Sequence, residues 1–581
     1  MIIGRLFSVF ETFCLGFICF VIGACATVEV SDISEGRDGL AGGDSGVSAR
    51  PMEVTNRSGG KGVIARGVKP NIILFVVDDM GWQDTSVSFG KKRTVWNNIY
   101  HTPHMETLAS RGMKFTNAYA SHPVCSPTRM SFMTGQNPAR SGVSDWIGHG
   151  RSKNRYLFSP EWRSVGLQPG DGFVTLPTLL RGAGYRTIHI GKAHFGQKLG
   201  ADPTNLGFDI NIAGSHGGGP WGGWYSPWLG KYAKMYPGLE DRPEGEYLTD
   251  AITIKARGVI RDAAAEGVPF FMNMAQFAVH TQIAAGPEKY LKFYRDGRPK
   301  VESDYGSMLT GMDASLGAIL STLRDPNGDG NTADSIAENT IILFVSDNGG
   351  LSNHARSNAG KALLNSGIRV RYKRDYHNAP ALSGKGSGYD GGTRIPMIVA
   401  WAGQLKKQKP INSRLSIVPG TTCAEPVHGD DIFPTILSIA GVKNPLLKIQ
   451  RDGQDLGSLL RRKSFTRKKP LFWHYPHQWY RDVGVGAGIE PYSAMRKGDW
   501  KLIYFYGDGV SDEKGYDPRT ELYHVSVDVG EKHNLASKKP KLAIKLRREL
   551  FRWLDAADAG LPIVRATGKR VDIPTAKTPF K

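Results

Sequence analysis

Two stretches of the chain are apolar almost without interruption, two more follow the same strand grammar, and each leads into residues able to do chemistry. Asn71-Ile72-Ile73-Leu74-Phe75-Val76-Val77 runs into Asp78-Asp79, and Thr340-Ile341-Ile342-Leu343-Phe344-Val345-Ser346 runs into Asp347-Asn348-Gly349-Gly350. Tyr185–Ile190 precedes Gly191-Lys192-Ala193-His194, and Pro269–Met274 leads on to His280. An apolar run that does not alternate reads as a strand buried on both faces, as in a parallel sheet covered by helices. Between the runs the period becomes helical, over Pro103–Arg111 stopped by Gly112, Leu176–Arg181 stopped by Gly182, and Asp304–Leu323. Strands alternating with helices predict an α/β fold with a mostly parallel sheet. Ligands of open α/β sheets bind just beyond the carboxyl ends of the strands. Four strands whose ends carry metal-ligand or acid/base residue types therefore mark one candidate site.

Asp78, Asp79, Asp347 and Asn348 offer oxygen ligands only, a set that favours Ca²⁺ or Mg²⁺ over zinc; the flexible coordination such a set allows makes Ca²⁺ the first choice. A second constellation is Pro123-Val124-Cys125-Ser126-Pro127-Thr128-Arg129-Met130-Ser131. Pro127 suits the first turn of a helix that stops at Thr134-Gly135, which places Cys125 at a helix N-terminus. Partial positive charge there favours anions and lowers a thiol's pKa. On chemistry alone Cys125 is either a thiolate nucleophile or a small buried structural residue.

Composition narrows the class. The 581 residues allow two to four domains, and with 40% apolar and 22% charged residues the body is an ordinary globular chain. Of five cysteines, Cys14, Cys19 and Cys25 lie in the leader, so only Cys125 and Cys423 remain and no disulfide framework exists. The 74 Lys+Arg against 54 Asp+Glu give a net charge of +20. That excess is either a solvated basic surface or an attraction for polyanions, and no nucleic-acid motif accompanies it. Arg5 followed by the apolar Phe13–Ala24 reads as a targeting segment over residues 1–26, too short for an ordinary membrane span. Ile22-Gly23-Ala24-Cys25 has the form of a lipobox with Cys25 as the lipidated residue, and Ala24-Cys25-Ala26 has the form of a signal-peptidase site; with cleavage by either route, or as an uncleaved anchor, the body is exported. Residues 27–69, rich in Gly, Ser and Asp, read as a flexible tether.

Cys125-x-Pro127-x-Arg129 resembles the C-x-P-x-R signature of the type I, formylglycine-dependent sulfatases of the alkaline phosphatase superfamily. Other matches fall in the family's order: Asp78-Asp79-Met80-Gly81, Thr102-Pro103-His104-Met105, Gly191-Lys192-Ala193-His194-Phe195-Gly196, Val279-His280-Thr281, Ser346-Asp347-Asn348-Gly349, and Gly384-Lys385-Gly386 leading to Gly391-Gly392-Thr393-Arg394-Ile395-Pro396. Gly498-Asp499-Trp500-Lys501 and Glu521-Leu522-Tyr523-His524 are similar to its closing subdomain. The resemblance implies a catalytic domain over residues 70–465, a smaller C-terminal subdomain with an antiparallel sheet over 466–565, and a tail over 566–581. It also implies that a formylglycine-generating enzyme oxidises Cys125 to formylglycine, whose hydrate attacks a sulfate ester and later expels sulfate by regenerating the aldehyde. By motif match, Asp78, Asp79, Asp347, Asn348 and modified Cys125 hold the metal, and Arg129 stabilises the diol. Lys192 and Lys385 hold sulfate oxygens, His194 takes the proton that regenerates the aldehyde, and His280 protonates the leaving alcohol. The implied substrate is a sulfated carbohydrate or aryl sulfate ester.

Some segments depart from the pattern or lie beside it. Gln282 stands where the family often has Pro. The basic stretch holding Arg356, Lys361, Arg369, Arg371, Lys373, Arg374 and His377 is either an anionic subsite or a solvated loop. Gly214–Gly230 carries Trp221, Trp224, Tyr225 and Trp228, which either stack on sugars or pack on one another. Asp325-Pro326-Asn327-Gly328-Asp329-Gly330 begins like a Ca²⁺ loop, but Ile336 occupies the position of the required bidentate carboxylate, so it reads as a turn. Phe472–His477 is expected to approach the site. The rival activities are phosphonate monoester or phosphodiester hydrolysis, which shares C-x-P-x-R, and glycan binding by an inactive surface lipoprotein.

Overall fold

The computed structural model describes residues 69–149, 157–352, 377–403, 415–442, 452–478, 488–507 and 518–574. The leader with Cys25, the tether up to residue 68 and the basic stretch over 353–376 lie outside the described residues.

The apolar runs become neighbouring strands of an eight-stranded sheet. In chain order its strands are β1 (Asn71–Val77), β2 (Gly112–Phe115), β3 (Arg186–Gly191), β4 (Ile210–Ile212), β5 (Phe270–Ala275), β6 (Thr340–Ser346), β7 (Met397–Trp401) and β8 (Thr421–Cys423). Across the sheet the order is β8-β2-β7-β6-β1-β5-β3-β4. β1 lies between β5 and β6, parallel to both, with Val77 opposite Ser346 and Val76 opposite Ala275. β3 and β4 extend the parallel set. β7 is antiparallel to both its neighbours, β6 and β2, and makes the sheet mixed.

The uninterrupted apolar runs have a direct cause in the packing. Ile73, Phe75 and Val77 of β1, with Ile342 and Phe344 of β6, face a cluster that includes α1 (Pro103–Arg111), α3 (Leu248–Glu266) and α4 (Lys300–Arg324). Ile72, Leu74 and Val76, with Ile341, Leu343 and Val345, face α2 (Cys125–Thr134) and α5 (Ile432–Ala440) on the other side. Both faces of each strand are dry, so neither set of alternate positions can be polar.

A second, antiparallel sheet follows in the order β9 (Leu471–Tyr475), β10 (Tyr492–Lys497), β11 (Trp500–Phe505), β12 (Arg519–His524), covered by α6 (Pro540–Ala556). Lys501 of β11 ties it to the larger sheet's loops: its fully buried Nζ lies 2.8 Å from both Asp390 Oδ1 and Glu531 Oε1. Glu531 in turn accepts the Asp390 N–H at 2.6 Å, and Asp390 Oδ2 accepts from Tyr119 Oη at 2.9 Å. Asp390 follows Lys385 by five residues, so this buried network braces a loop of the candidate site. Removing one partner from a buried ion cluster leaves uncompensated charge, at a cost of roughly 3–5 kcal/mol. Lys501→Met is accordingly expected to lower the unfolding free energy in denaturant by about that amount; a loss under ~1 kcal/mol would remove the brace from this account.

Candidate active site

Every expected site residue within the described part gathers at the carboxyl ends of β1, β3, β5 and β6. Asp78 and Asp79 leave β1, Lys192 and His194 follow β3, His280 follows β5, and Asp347-Asn348 follow β6. Cys125 opens α2, and Lys385 comes from the loop braced by Asp390. Asp79 and His194 take left-handed φ values of 62° and 53°, uncommon for residues with a Cβ. The backbone is thus turned sharply to aim these two side chains inward.

The site is a buried lattice of opposite charges. Lys192 Nζ sits 2.7 Å from Asp78 Oδ2, Lys385 Nζ 2.6 Å from Asp79 Oδ1, and Arg129 Nε 2.8 Å from Asp347 Oδ2. Arg129 also donates to the Lys192 carbonyl at 2.8 Å and places Nη2 3.6 Å from Asp78 Oδ1. Burial raises the Asp78 carboxyl well above its usual range, with Lys192 pulling the other way. Burial acts the same way on Asp347, but Arg129 and Lys192 more than offset it and hold that carboxyl below its usual value.

The donor set fits a hard cation. Asn348 spends its Nδ2 on Asp79 Oδ1 at 2.8 Å and on the Gly349 carbonyl at 2.9 Å, which leaves its buried Oδ1 without a partner among the described residues. Asp78 Oδ1 is likewise buried and accepts no hydrogen bond among the described residues, its nearest cation being Arg129 Nη2 at 3.6 Å. An orphaned buried oxygen is costly unless something positive meets it. Ligand atoms of Asp78, Asp79 and His280 lie within 4.8 Å of one another. His280 therefore stands beside the two carboxylates at the end of β1.

The two histidines have their tautomers set by backbone carbonyls. His194 Nε2 lies 3.1 Å from the Ile147 carbonyl, which can only accept, so Nε2 carries the hydrogen. Its Nδ1 lone pair then faces the Ser126 hydroxyl at 3.0 Å and the Cys125 thiol at 3.5 Å. Ser126 Oγ in turn accepts the Ile147 N–H at 3.0 Å. His280 Nδ1 donates to the Thr281 carbonyl, leaving the Nε2 lone pair 3.8 Å from Asp79 Oδ2. Burial, reinforced by Lys192 for His194 and by Lys385 for His280, pushes both imidazoles well below their ordinary pKa, so both are neutral.

Cys125 differs from one expectation. It does open a helix, but it is only 3% exposed, and burial pushes its thiol up despite Lys192 and Lys385 pulling it down. The desolvation of a sulfur anion outweighs the helix terminus, so the unmodified side chain is a poor thiolate.

Sequence reasoning assigned no part to Ser126 or Ile147. Ser126 lies inside the quoted motif, but its bond to His194 joins residues that only the fold brings together, and a backbone carbonyl has no signature. Phe472–Tyr475 lies in β9, and the two histidines of Phe472–His477 are spent on structure: His474 bonds Ser493 Oγ at 2.7 Å and the Gly560 carbonyl at 2.9 Å, and His477, just past the strand, bonds Ser144 Oγ at 2.8 Å. Trp224 and Trp228 are buried, whereas Trp221 and Tyr225 are exposed. His377 pairs with Glu302 at 3.0 Å. The Asp325 carboxylate accepts the Gly328 and Gly330 N–H groups at 2.8 and 3.0 Å in an exposed turn, as expected.

With this geometry in place, the chain can be set against known proteins. A Sulfatase of Formosa agariphila is 30% identical over 566 residues, covering 87% of this chain and 92% of that protein. The N-acetylgalactosamine-6-sulfatase of Sus scrofa is 30% identical over 426 residues, 71% of this chain and 70% of that one. Among solved structures, Ps i-CgsB superposes with a TM-score of 0.62 at 24% identity, covering 84% of this chain and 93% of its own, and has also been solved with k-i-k-neocarrahexaose. The phosphonate monoester hydrolase of Agrobacterium radiobacter shares the fold, with a TM-score of 0.54 at 17% identity over 86% of this chain and 97% of its own. The Sulfatase sequence family matches residues 70–442, from the first residue before β1 to just beyond α5. The chain belongs to the sulfatase family and is a hydrolase of sulfuric esters.

Proposed function

We propose that this protein is an exported sulfatase that removes sulfate from carbohydrate esters, using formylglycine made from Cys125 and a bound Ca²⁺, with Mg²⁺ as the alternative ion. The observation that carries this reading is the unpartnered Asn348 Oδ1 beside three carboxylates, next to a buried cysteine too poorly ionised to act as a thiolate. Asp78, Asp79, Asp347 and Asn348 would hold the cation, whose charge would polarise the sulfuryl oxygens and favour ionisation of the nucleophile's hydroxyl. Support for a sugar substrate comes from the names of the N-acetylgalactosamine-6-sulfatases and from the neocarrahexaose bound to Ps i-CgsB.

The chain's own side chains divide the remaining work. Arg129, fixed by Asp347 and the Lys192 carbonyl, anchors the oxygens on residue 125 and cannot give up its charge. Lys192 and Lys385 are paired to Asp78 and Asp79; with those carboxylates held on a cation, both ammonium groups would be available to the sulfuryl oxygens. His194 presents an Nδ1 lone pair to residue 125 and acts as the base there. His280 binds the leaving oxygen and becomes its acid once the anionic ester draws a proton to Nε2. Export rests on the leader; among the described residues no helix is long and apolar enough to cross a membrane.

Mass spectrometry of the tryptic peptide spanning Cys125, from protein made alongside a formylglycine-generating enzyme, should find an aldehyde in place of the thiol. Full activity from a preparation with the thiol intact would overturn the nucleophile assignment. Sulfate release from sulfated glycans, compared with hydrolysis of the matching phosphonate and phosphodiester nitrophenyl esters, separates this reading from its superfamily rival. His280→Ala should slow poor-leaving-group sugar sulfates by about 10²–10⁴-fold and activated aryl sulfates much less. Equal losses on both substrates would take the acid role away from His280.

A further inference from the structure

The glycine-rich loop over residues 214–230 is the part of the site that the sulfate chemistry does not use. It roofs both catalytic imidazoles. A Cβ at Gly218 would stand 2.6 Å from His194 Cε1, and one at Gly219 would stand 2.9 Å from His280 Nδ1. Only residues without a side chain allow the main chain so close to these rings. Directly after this approach, Pro220 and Gly223 close a turn through a 2.8 Å hydrogen bond, and the turn holds Trp221 out at the mouth of the site. The Trp221 ring meets the His280 ring edge-to-face at 6.0 Å between centroids, yet the residue keeps 47% of its surface exposed.

The loop's other tryptophans show that this placement is rigid. Trp224 is buried and donates its indole N–H to the Gln282 carbonyl at 2.6 Å, just past His280. Trp228 is buried against Tyr236 and donates to the Gly223 carbonyl at 3.1 Å. Two tryptophans therefore anchor the loop, and the third stands free at the side where the leaving group's acid sits. An exposed indole at a fixed position loses little conformational freedom on binding, and its apolar face suits the C–H face of a pyranose ring.

We propose that Trp221 is the stacking platform of a sugar subsite: it takes the apolar face of the pyranose that carries, or directly adjoins, the leaving oxygen presented to His280. This rests on the carbohydrate-sulfatase reading and gives it a specificity residue. Trp221 touches the ring carbons and no sulfuryl oxygen, so its contribution is to binding and positioning of the sugar.

The test uses the full chain in two states. In active enzyme, Trp221→Ala should raise KM for a sulfated mono- or disaccharide by about 5- to 20-fold while kcat stays within about threefold, and Trp221→Phe should recover most of the loss. In the inactive Cys125→Ala protein, calorimetry with the same sulfated saccharides should show the same weakening in Kd when Trp221→Ala is added. An unchanged Kd with Trp221→Ala overturns the subsite, and so does the absence of any saccharide binding. A loss that falls on kcat alone, or that Phe does not rescue, also overturns it. If saccharides bind and depend on Trp221 but the active enzyme releases no sulfate from them, the sulfatase reading of the substrate fails and the stacking site stands.

Discussion

Three carboxylates, Asp78, Asp79 and Asp347, are buried to zero exposure at the end of a dry parallel sheet, and the fold has to offset the cost of placing them there. Burying an ion in a low-dielectric interior costs several kcal/mol after relaxation, so such groups survive only if paired. Lys192, Lys385 and Arg129 supply that pairing at 2.6–2.8 Å, one for each acid. Three basic side chains thus stand against three acids, while Asp78 Oδ1 and Asn348 Oδ1 accept no hydrogen bond among the described residues. On the proposed reading, a dication meeting these oxygens would leave the pocket with net positive charge, which suits an anionic ester.

The architecture serves this constraint. Central β1 sits between β5 and β6, so the chain leaves three adjacent strands within reach of one point, and β3 adds Lys192 and His194 from the next position. Both faces of these strands are sealed by helices, which removes water from the backs of the acids and strengthens each pairing. The antiparallel sheet contributes through Lys501, whose buried ties to Asp390 and Glu531 steady the loop that delivers Lys385. Stability at that seam and geometry at the site are therefore linked.

Much of this was legible in the sequence because the signals are local. The apolar runs at Asn71–Val77 and Thr340–Ser346 fall on β1 and β6, and the helix at Pro103–Arg111 has the expected bounds, since strand period, Pro and Gly act within a few residues. The expected Asp304–Leu323 helix starts earlier, at Lys300. What was not legible depends on contacts between distant segments. The antiparallel β7 carries no mark of its direction. The Ile147 carbonyl that fixes the His194 tautomer is a backbone atom, and the roof over His194 and His280 showed only as a run of glycines. Cys125 is the sharpest case, because its helix position predicts an acidic thiol while burial, invisible in the sequence, wins.

The central claim is that the buried acids and Asn348 are a cation site built against residue 125. Calorimetric titration of chelator-stripped protein with Ca²⁺ and with Mg²⁺ tests it most directly. The account predicts one ion per chain, bound with a rise in Tm, and loss of both signals in Asp347→Ala and Asn348→Ala proteins that remain folded. A stripped protein that takes up neither ion, or variants that bind as tightly as the parent, would contradict it.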